Sequence, residues 1–325
     1  MGTEQAAKEV FIMSLKLFRS NLFIPGSNSK ALLKTLESFG ASNRIRNSLT
    51  DCIIIDWEDA VSPSSKESSR ISTIEVLKAT MTQKKDIWPR LIVRINCPKS
   101  SIWGNDDLNS IKENLNNIKI DGISIPKVES VDVVQHVLEK IGDHNIKIWP
   151  MIETPLGVLN SNSIAAITQV EALILGSNDL SKSLRCNLNA NRREPLIYSM
   201  SQIILAARAH NKVAIDGVYM QVKKSGDING DKLSDGLTEV CQQGKDLGFD
   251  GKSLIHPSQI ITSNNIFGPS QNEYNHAKII CDEYLKALEA GKGVCVVDGK
   301  LIEQLHVDQA LMTIRMFETI EETYK

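Results

Sequence analysis

Residues 146–180, IKIWPMIETPLGVLNSNSIAAITQVEALILGSNDL, decide the fold because they contain one complete strand–helix–strand unit. The runs IKIWPMI and EALILG are short, continuous and apolar, which is typical of strands that are covered on both faces. An acidic residue follows each run closely, Glu153 the first and Asp179 the second. A carboxylate at the end of a buried strand is costly unless it has a counter-charge or a metal, so this unit predicts a cation site on a parallel sheet.

The same unit recurs through most of the chain. Strand candidates alternate with helix-like stretches, at residues 20–25, 51–56, 90–95, 121–126, 146–152, 171–176, 212–217 and 251–256. This alternation is consistent with a closed (β/α)8 barrel or with a doubly wound open sheet. No GxGxxG or GxxxxGKS/T motif follows the first strand, as a nucleotide-binding open sheet would require.

The position of charged residues favours the barrel. Seven of them fall at or just past the end of a different strand: Asp56, Arg94, Lys127, Glu153, Asp179, Asp216 and His256. A barrel brings all of these ends to one mouth, where its active sites lie, whereas an open sheet would scatter them along an edge. The predicted fold is therefore α/β, a (β/α)8 TIM barrel.

The pattern changes after residue 268. Residues 269–291 predict one long helix, residues 292–307 a hairpin that turns at Asp298–Gly299, and the remaining residues a last helix. We expect an amino-terminal extension (1–18), a catalytic barrel (19–268) and a C-terminal helix–hairpin–helix extension (269–325). The last is too small to fold alone, so it would serve as a lid or an oligomerisation element. Residues 223–236 predict an exposed loop after strand seven.

Composition excludes several classes of function. The 325 residues carry a net charge of −2, and no apolar run approaches a transmembrane span, so we expect no nucleic-acid and no membrane partner. The six cysteines form no CxxC pair, which indicates free thiols in a reducing compartment. The first 18 residues lack the features of a secretory signal, so the expected location is cytoplasmic, with a mitochondrial address as the alternative.

The acidic pair suits a hard divalent ion. Mg2+ favours one or two protein carboxylates together with water and substrate oxygens, and Glu153 and Asp179 would supply the carboxylates. The alternative is that both form structural salt bridges with arginines. Arg94 presents a planar guanidinium that suits bidentate capture of a substrate carboxylate, and its alternative is an ion pair with Glu58 or Asp59.

Other charged groups at the strand ends have open roles. The DWED run (56–59) contributes three acids that either serve the site or pair structurally. Lys127 lies among so many carboxylates that we expect it to be ion-paired and protonated, which excludes a Schiff-base mechanism. His256 is expected either to contact a ligand or to be structural. Arg19, with the PGSNSK turn (25–30), would bind phosphate at a helix N-terminus.

The segments that carry these residues are similar to those of a known family. They are RSNLFIPGSNSK (19–30), IIIDWEDAVSPSSKESSR (53–70), LIVRIN (91–96), DGISIPKVES (121–130), PMIETPLGVLN (150–160), LILGSNDL (173–180), the run 193–219, LGFDGKSLIHPSQI (247–260) and VVDGKLIE (296–303). In this order they resemble the citrate lyase β-subunit-like branch of the HpcH/HpaI aldolase family, which includes malyl-CoA and citramalyl-CoA lyases. The resemblance covers nearly the whole chain.

The resemblance implies an activity and its site residues. Glu153 and Asp179 would hold Mg2+, and Arg94 would grip the oxo acid carboxylate during catalysis. The neighbouring charged groups that would complete substrate binding are Glu58, Asp59 and Lys127. The implied reaction is cleavage or condensation of a 3-hydroxyacyl-CoA, such as malyl-CoA or citramalyl-CoA, with acetyl-CoA and a small α-oxo acid (glyoxylate or pyruvate) as the products of cleavage. A citrate lyase β subunit working with an acyl-carrier partner, a malate synthase and a thioesterase are the alternatives.

The resemblance also implies an assembly. In a homotrimer or hexamer, Asp298 from the adjacent subunit would act as the catalytic acid/base. Arg19 and Lys30 would contact the phosphates of CoA. Trp57 stands where the family commonly has Leu, and we expect it to narrow the mouth of the barrel.

Overall fold

The structure of the protein, a computed structural model, describes residues 16–41, 45–81, 88–142, 145–188, 193–222 and 230–324, without the side chains of residues 81 and 230–235. The chain divides into two compact units. One is Phe18–Phe267, and the other is Met1–Leu17 with Gly268–Lys325. The borders of the first unit lie one residue from those predicted for the barrel. The extension predicted for residues 1–18 lies almost wholly outside the described residues.

The first unit is a closed barrel of eight parallel strands, as predicted. The strands are β1 (Ser20–Pro25), β2 (Cys52–Asp56), β3 (Arg90–Arg94), β4 (Gly122–Ile125), β5 (Lys147–Ile152), β6 (Ala172–Leu175), β7 (Val213–Asp216) and β8 (Gly251–Leu254). Each strand pairs with the next one in the sequence, and β8 pairs in parallel with β1, which closes the ring. Each predicted strand is present, and its ends lie within two residues of the predicted ones.

Helices follow the strands in the order of a (β/α)8 fold. They are α1 (Ser29–Ser38), α2 (Lys66–Met81), α3 (Gly104–Asn114), α4 (Val131–Ile141), α5 (Pro155–Leu159), α6 (Ser161–Ala165), α7 (Ser177–Leu184), α8 (Ile197–Ala209), α9 (Gly230–Leu247) and α10 (Ile260–Phe267). The loop predicted for residues 223–236 is wrong from Gly230 onward, where α9 begins. The helix forms there because Leu237, Val240 and Cys241 recur at helical spacing and are buried. Residues 223–229 lie outside the described residues.

Alternate residues of the strands pack in two separate layers. Ile54, Ile92, Met151 and Ile215 belong to the cluster that fills the barrel. Their sequence neighbours on the same strands pack outward under the helices. Because side chains alternate along a strand, the position of a residue relative to this inner layer decides whether it faces the mouth.

Asp216 faces outward by this rule, since it follows the inward residue Ile215. It is fully buried and accepts hydrogen bonds from Lys252 Nζ (2.9 Å) and Arg193 Nη1 (2.6 Å). Burial opposes ionisation of Asp216, but the charges of Lys252 and Arg193 outweigh it and lower the pKa of the carboxyl. The expectation that Asp216 lies at the mouth is wrong, because its side chain joins β7 and β8 to the helix layer.

The second unit contains the predicted helix–hairpin–helix. Its elements are α11 (Gln271–Glu289), β9 (Cys295–Val297), β10 (Lys300–Ile302) and α12 (Gln304–Thr323). The hairpin turns at Asp298 and Gly299, which both adopt left-handed backbone angles (φ 48° and 75°), as a two-residue turn of this type requires. No helix among the described residues is long and apolar enough to cross a membrane.

Closure of the barrel predicts a sensitive position at Gly251. A Cβ on this residue would overlap the backbone carbonyl oxygen of Phe18, at the seam between β8 and the start of β1. Because backbone cannot swing aside, we expect Gly251→Ala to lower the free energy of unfolding by about 3 kcal/mol. Urea denaturation of both proteins measures this difference. Gly293→Ala is the control, since nothing lies within 4 Å of its added Cβ, and equal losses in the two variants would contradict the prediction.

Candidate active site

A buried ion pair joins the ends of β2 and β3. Arg94 donates to both carboxylate oxygens of Asp56, from Nε to Oδ1 (2.7 Å) and from Nη2 to Oδ2 (2.6 Å). Asp56 also accepts hydrogen bonds from the backbone N–H groups of Glu58 (2.9 Å) and Ala60 (3.1 Å). Burial would raise the pKa of Asp56, but the charge and hydrogen bonds of Arg94 lower it. The carboxylate of Asp56 therefore orients the guanidinium of Arg94 and stabilises the loop that follows β2.

Glu58 connects this ion pair to the next strand. Its Oε2 lies 3.1 Å from Arg94 Nη1, and its Oε1 accepts a hydrogen bond from Lys127 Nζ. Asp59 is exposed, with Oδ1 3.8 Å from the same ammonium. Burial opposes protonation of Lys127, but the hydrogen bond and charge of Glu58 raise its pKa. Lys127 is therefore ion-paired and protonated, as expected, and so cannot act as an imine-forming nucleophile.

Lys127 also reaches the next strand through its backbone. Its φ is 54°, a left-handed conformation that is rare for a residue with a side chain. In this conformation the backbone N–H donates to Glu153 Oε1 (2.7 Å). One lysine thus orients two acids, Glu58 through its ammonium and Glu153 through its amide.

Glu153 is buried, and the charge of Arg94 and the Lys127 N–H only partly offset the effects that raise its pKa. Burial, followed by the negative charge of Glu58, raises its pKa to about 7, and the charge of Asp179 acts in the same direction. Among the described residues, no lysine or arginine forms a salt bridge with Glu153 or Asp179. The structure therefore favours the metal interpretation of the acidic pair over structural salt bridges, because a bound cation would neutralise both charges.

Gly176 makes room for the carboxylate of Glu153. A Cβ on Gly176 would overlap Cβ and Oε2 of Glu153, so the side chain of Glu153 lies directly against the end of β6. Asp179 is in the first turn of α7, the helix that begins next to Gly176, and it is half-buried. The charge of Asp179 acts on Glu153, so the two predicted metal ligands are near enough to interact electrostatically.

The two carboxylates would fill only part of a metal's coordination sphere. Within the described residues, no three His, Cys, Asp or Glu side chains form a cluster that could hold a metal ion. Mg2+ often retains several water or substrate oxygens beside one or two carboxylates. Glu153 and Asp179 fit a magnesium ion of this kind.

Arg19 does not reach this mouth. It precedes β1, so it lies at the opposite end of the barrel, and it is 1% exposed. Its Nε and Nη2 donate to Asp51 (3.0 and 2.8 Å) and its Nη1 to Asn47 (2.8 Å). The expected contact of Arg19 with CoA phosphate is therefore corrected to a structural ion pair. Lys30 is exposed in the first turn of α1.

The structure also places the side chains of Trp57 and His256. Trp57 is 1% exposed, and its Nε1 donates to Thr73 Oγ1 (3.0 Å) on α2. It does not narrow the mouth, because its ring lies beneath Gly26 in the helix layer. His256 is exposed, and its Nδ1 accepts from the backbone N–H of Ser258 (3.2 Å), which is a structural cap.

A cavity of about 690 Å³ lies beside the charged cluster. Its walls include Glu58, Lys66, Asn96, Trp103 and Lys127. Lys66 and Asn96 were not predicted from the sequence. Asn96 could have been found, because it lies two residues beyond Arg94, but nothing in the helical pattern around Lys66 marks this lysine as buried.

The fold and this site define a barrel enzyme whose acidic mouth lies at the carboxyl ends of the strands. The model of the HpcH/HpaI aldolase/citrate lyase family matches residues 19–257, and the chain belongs to that family of carbon–carbon lyases. This bears out the resemblance seen in the sequence.

The comparisons also find similar individual proteins. A (3S)-malyl-CoA thioesterase of Cereibacter sphaeroides is 38% identical over 93% of this chain and 95% of its own. The citrate lyase subunit beta of Haemophilus influenzae is 31% identical over 92% and 97%. The crystal structure of CitE from Mycobacterium tuberculosis, in complex with magnesium, acetoacetate and coenzyme A, has a TM-score of 0.68 and 22% identity, covering 93% of this chain and 97% of that one. The similarity to CitE shows that the two chains share a fold.

The raised pKa of Glu153 predicts that ionisation of this carboxyl lowers the free energy of unfolding at high pH. The native pKa of about 7 exceeds the ordinary value of 4.5, so the stabilising protonated state is fully present below pH 4.5 and is lost as the pH rises through 7. Glu153→Gln imitates the protonated carboxyl at every pH. In EDTA, we expect this variant to match the unsubstituted protein near pH 4.5 and to exceed its unfolding free energy by about 3 kcal/mol at pH 8.

Urea denaturation at the two pH values measures this difference. Glu289→Gln, at the exposed end of α11, is the control. Its difference in unfolding free energy from the unsubstituted protein should be the same at both pH values. A constant difference between the Glu153 variant and the unsubstituted protein would contradict the prediction.

Proposed function

We propose that this protein is a Mg2+-dependent carbon–carbon lyase that acts on a 3-hydroxyacyl-CoA of the malyl-CoA or citramalyl-CoA kind. The observation that carries the proposal is the unneutralised acidic pair, Glu153 and Asp179, beside the fixed guanidinium of Arg94. The CitE complex with magnesium, acetoacetate and coenzyme A supports it, as do relatives named for malyl-CoA and citrate. The products would be acetyl-CoA and an α-oxo acid.

The charged residues of the mouth would bind and orient the substrate. Bound Mg2+, held by Glu153 and Asp179, would supply a Lewis acid that stabilises negative charge on substrate oxygens. Arg94 would bind the carboxylate of the substrate, and Asp56 keeps its guanidinium in one orientation. Lys127, whose side chain is 39% exposed, would add a positive charge at the entrance.

Cleavage requires a proton at the acetyl carbon. When the bond between the hydroxyl-bearing carbon and the neighbouring methylene breaks, the hydroxyl group gives its proton to solvent and becomes the carbonyl of the oxo acid, and the thioester leaves as an enolate. Asp298 would protonate this enolate and, in condensation, would deprotonate acetyl-CoA. Its side chain is 76% exposed at the tip of the hairpin, with Oδ2 3.4 Å from His276 Nδ1. We propose that a neighbouring copy in a trimer or hexamer supplies it.

Thioester hydrolysis is the second candidate function. The specific observation in its favour is the 38% identity to a malyl-CoA thioesterase over nearly the whole chain. Hydrolysis would break the carbon–sulfur bond and leave the malate skeleton intact, so the products separate the two reactions. A citrate lyase β role would instead require an acyl-carrier partner for activity.

Product analysis tests the lyase proposal. We expect the purified chain with Mg2+ to release glyoxylate from malyl-CoA or pyruvate from citramalyl-CoA, together with acetyl-CoA. Asp298→Asn should lower kcat by at least about 100-fold, because it removes the proton donor. Asp308→Asn, on the exposed face of α12, is the matched control. Release of free malate with CoA, or activity only with an acyl carrier, would contradict the proposal.

The metal site has its own test. Gly176→Ala should displace the Glu153 carboxylate and weaken Mg2+ binding by at least about tenfold, and Asp179→Asn should abolish turnover. Calorimetric titration with Mg2+ measures the affinity, with Gly293→Ala as the control. Unchanged Mg2+ affinity of the Gly176 variant, or full activity of the Asp179 variant in EDTA, would refute the metal role.

A further inference from the structure

Lys66 lines the cavity and donates hydrogen bonds to the backbone of the loop after β2. It begins α2, and it is 6% exposed. Its Nζ donates to the carbonyl oxygens of Trp57 (2.8 Å) and Glu58 (2.8 Å) and to Asn96 Oδ1 (2.9 Å). One buried ammonium therefore holds two successive peptide groups of the segment that carries Glu58.

The network continues into the loop after β3. Asn96 Nδ2 donates to the carbonyl of Trp57 (2.9 Å) and to Asp107 Oδ2 (2.7 Å), which also accepts from the backbone N–H of Asn96 (2.7 Å). Asp107 is fully buried, and its Oδ1 accepts from Arg70 Nη1 (2.9 Å). The loops after β2 and β3 are thus joined through side chains other than those of the proposed metal ligands.

We infer that Lys66 is a positioning residue, which fixes the backbone at residues 57–58 and thereby places the Glu58 carboxylate between Arg94 and Lys127. The chain of contacts is continuous. Lys66 bonds the carbonyl of Glu58, and the side chain of Glu58 pairs with both cations of the mouth. The part of this inference that concerns turnover rests on the proposed lyase function, whereas the placement of Glu58 does not.

A direct role for Lys66 in binding substrate conflicts with its hydrogen bonds. An ammonium has three donors, and protein acceptors occupy all three. The ring of Trp103 also lies over the ammonium, with its centroid 5.3 Å from Nζ. Lys66 therefore lines the cavity without a donor to offer a ligand, and its effect passes through Glu58.

The test compares Lys66→Met with Lys66→Arg, which keeps the cation, and with Lys78→Met, at an exposed position of the same helix. The first readout is the rate at which acetic anhydride acetylates Lys127, followed by peptide mass spectrometry with Mg2+ present. Release of Glu58 in Lys66→Met removes the hydrogen-bonded partner of the Lys127 ammonium and, among the described residues, leaves it only the exposed Asp59 at 3.8 Å, so we expect acetylation about tenfold faster. Lys66→Arg and Lys78→Met should label at the rate of the unsubstituted protein.

The second readout is catalysis. We expect Lys66→Met to lower kcat/KM by about 10- to 100-fold, with Lys66→Arg restoring most of it. Acetylation of Lys127 at the unsubstituted rate in Lys66→Met would overturn the inference. If the unsubstituted protein cleaves none of the thioesters, the proposed function fails, while the labelling still decides the role of Lys66. Urea unfolding identifies a variant that does not fold, and Lys66→Gln then replaces Lys66→Met in the same comparison.

Discussion

The ion pair between Asp56 and Arg94 is the interaction on which the mouth of the barrel depends. Both residues point inward from adjacent strands, and both are nearly inaccessible to solvent. Loss of one partner would leave an unpaired charge in the barrel, at a cost of about 3–5 kcal/mol. Because Asp56 also accepts two backbone N–H groups of the following loop, one carboxylate orients the guanidinium and shapes the segment that carries Glu58.

The balance of charge around this pair leaves an excess of negative charge at the mouth. Asp56 and Glu58 form salt bridges with Arg94 and Lys127, and neither of these cations forms one with Glu153. Its carboxylate receives one backbone N–H and the positive charge of Arg94, but burial and the negative charges of Glu58 and Asp179 outweigh both and keep its pKa raised. The residues that fix Arg94 therefore leave Glu153 and Asp179 without a salt bridge in the described part of the chain, and a divalent ion bound there would neutralise their charge.

The strands could be predicted because both faces of each are covered, which produces continuous apolar runs that stand out in the sequence. The direction of single side chains could not be predicted, because the sequence locates strand ends only to within one or two residues. A shift of one residue along the strand turns a side chain to the opposite face of the sheet. Asp216 was misplaced for this reason. Arg19 was assigned to phosphate from its neighbouring turn, although it precedes β1 and so lies at the other end of the barrel. The burial of Lys66 depends on contacts with the preceding loop and with Asn96 in the loop after β3, which no local pattern reveals.

The close approach of Gly176 to Glu153 has an evolutionary consequence. A side chain on Gly176 would occupy the space that Glu153 fills. A larger residue at position 176 would therefore move the carboxylate or the helix that begins beside it. Family members that retain this chemistry should therefore keep glycine and glutamate together at these positions, or exchange both. A sequence with a larger residue in place of the glycine and an intact glutamate would identify a barrel in which the chemistry has moved elsewhere or has been lost.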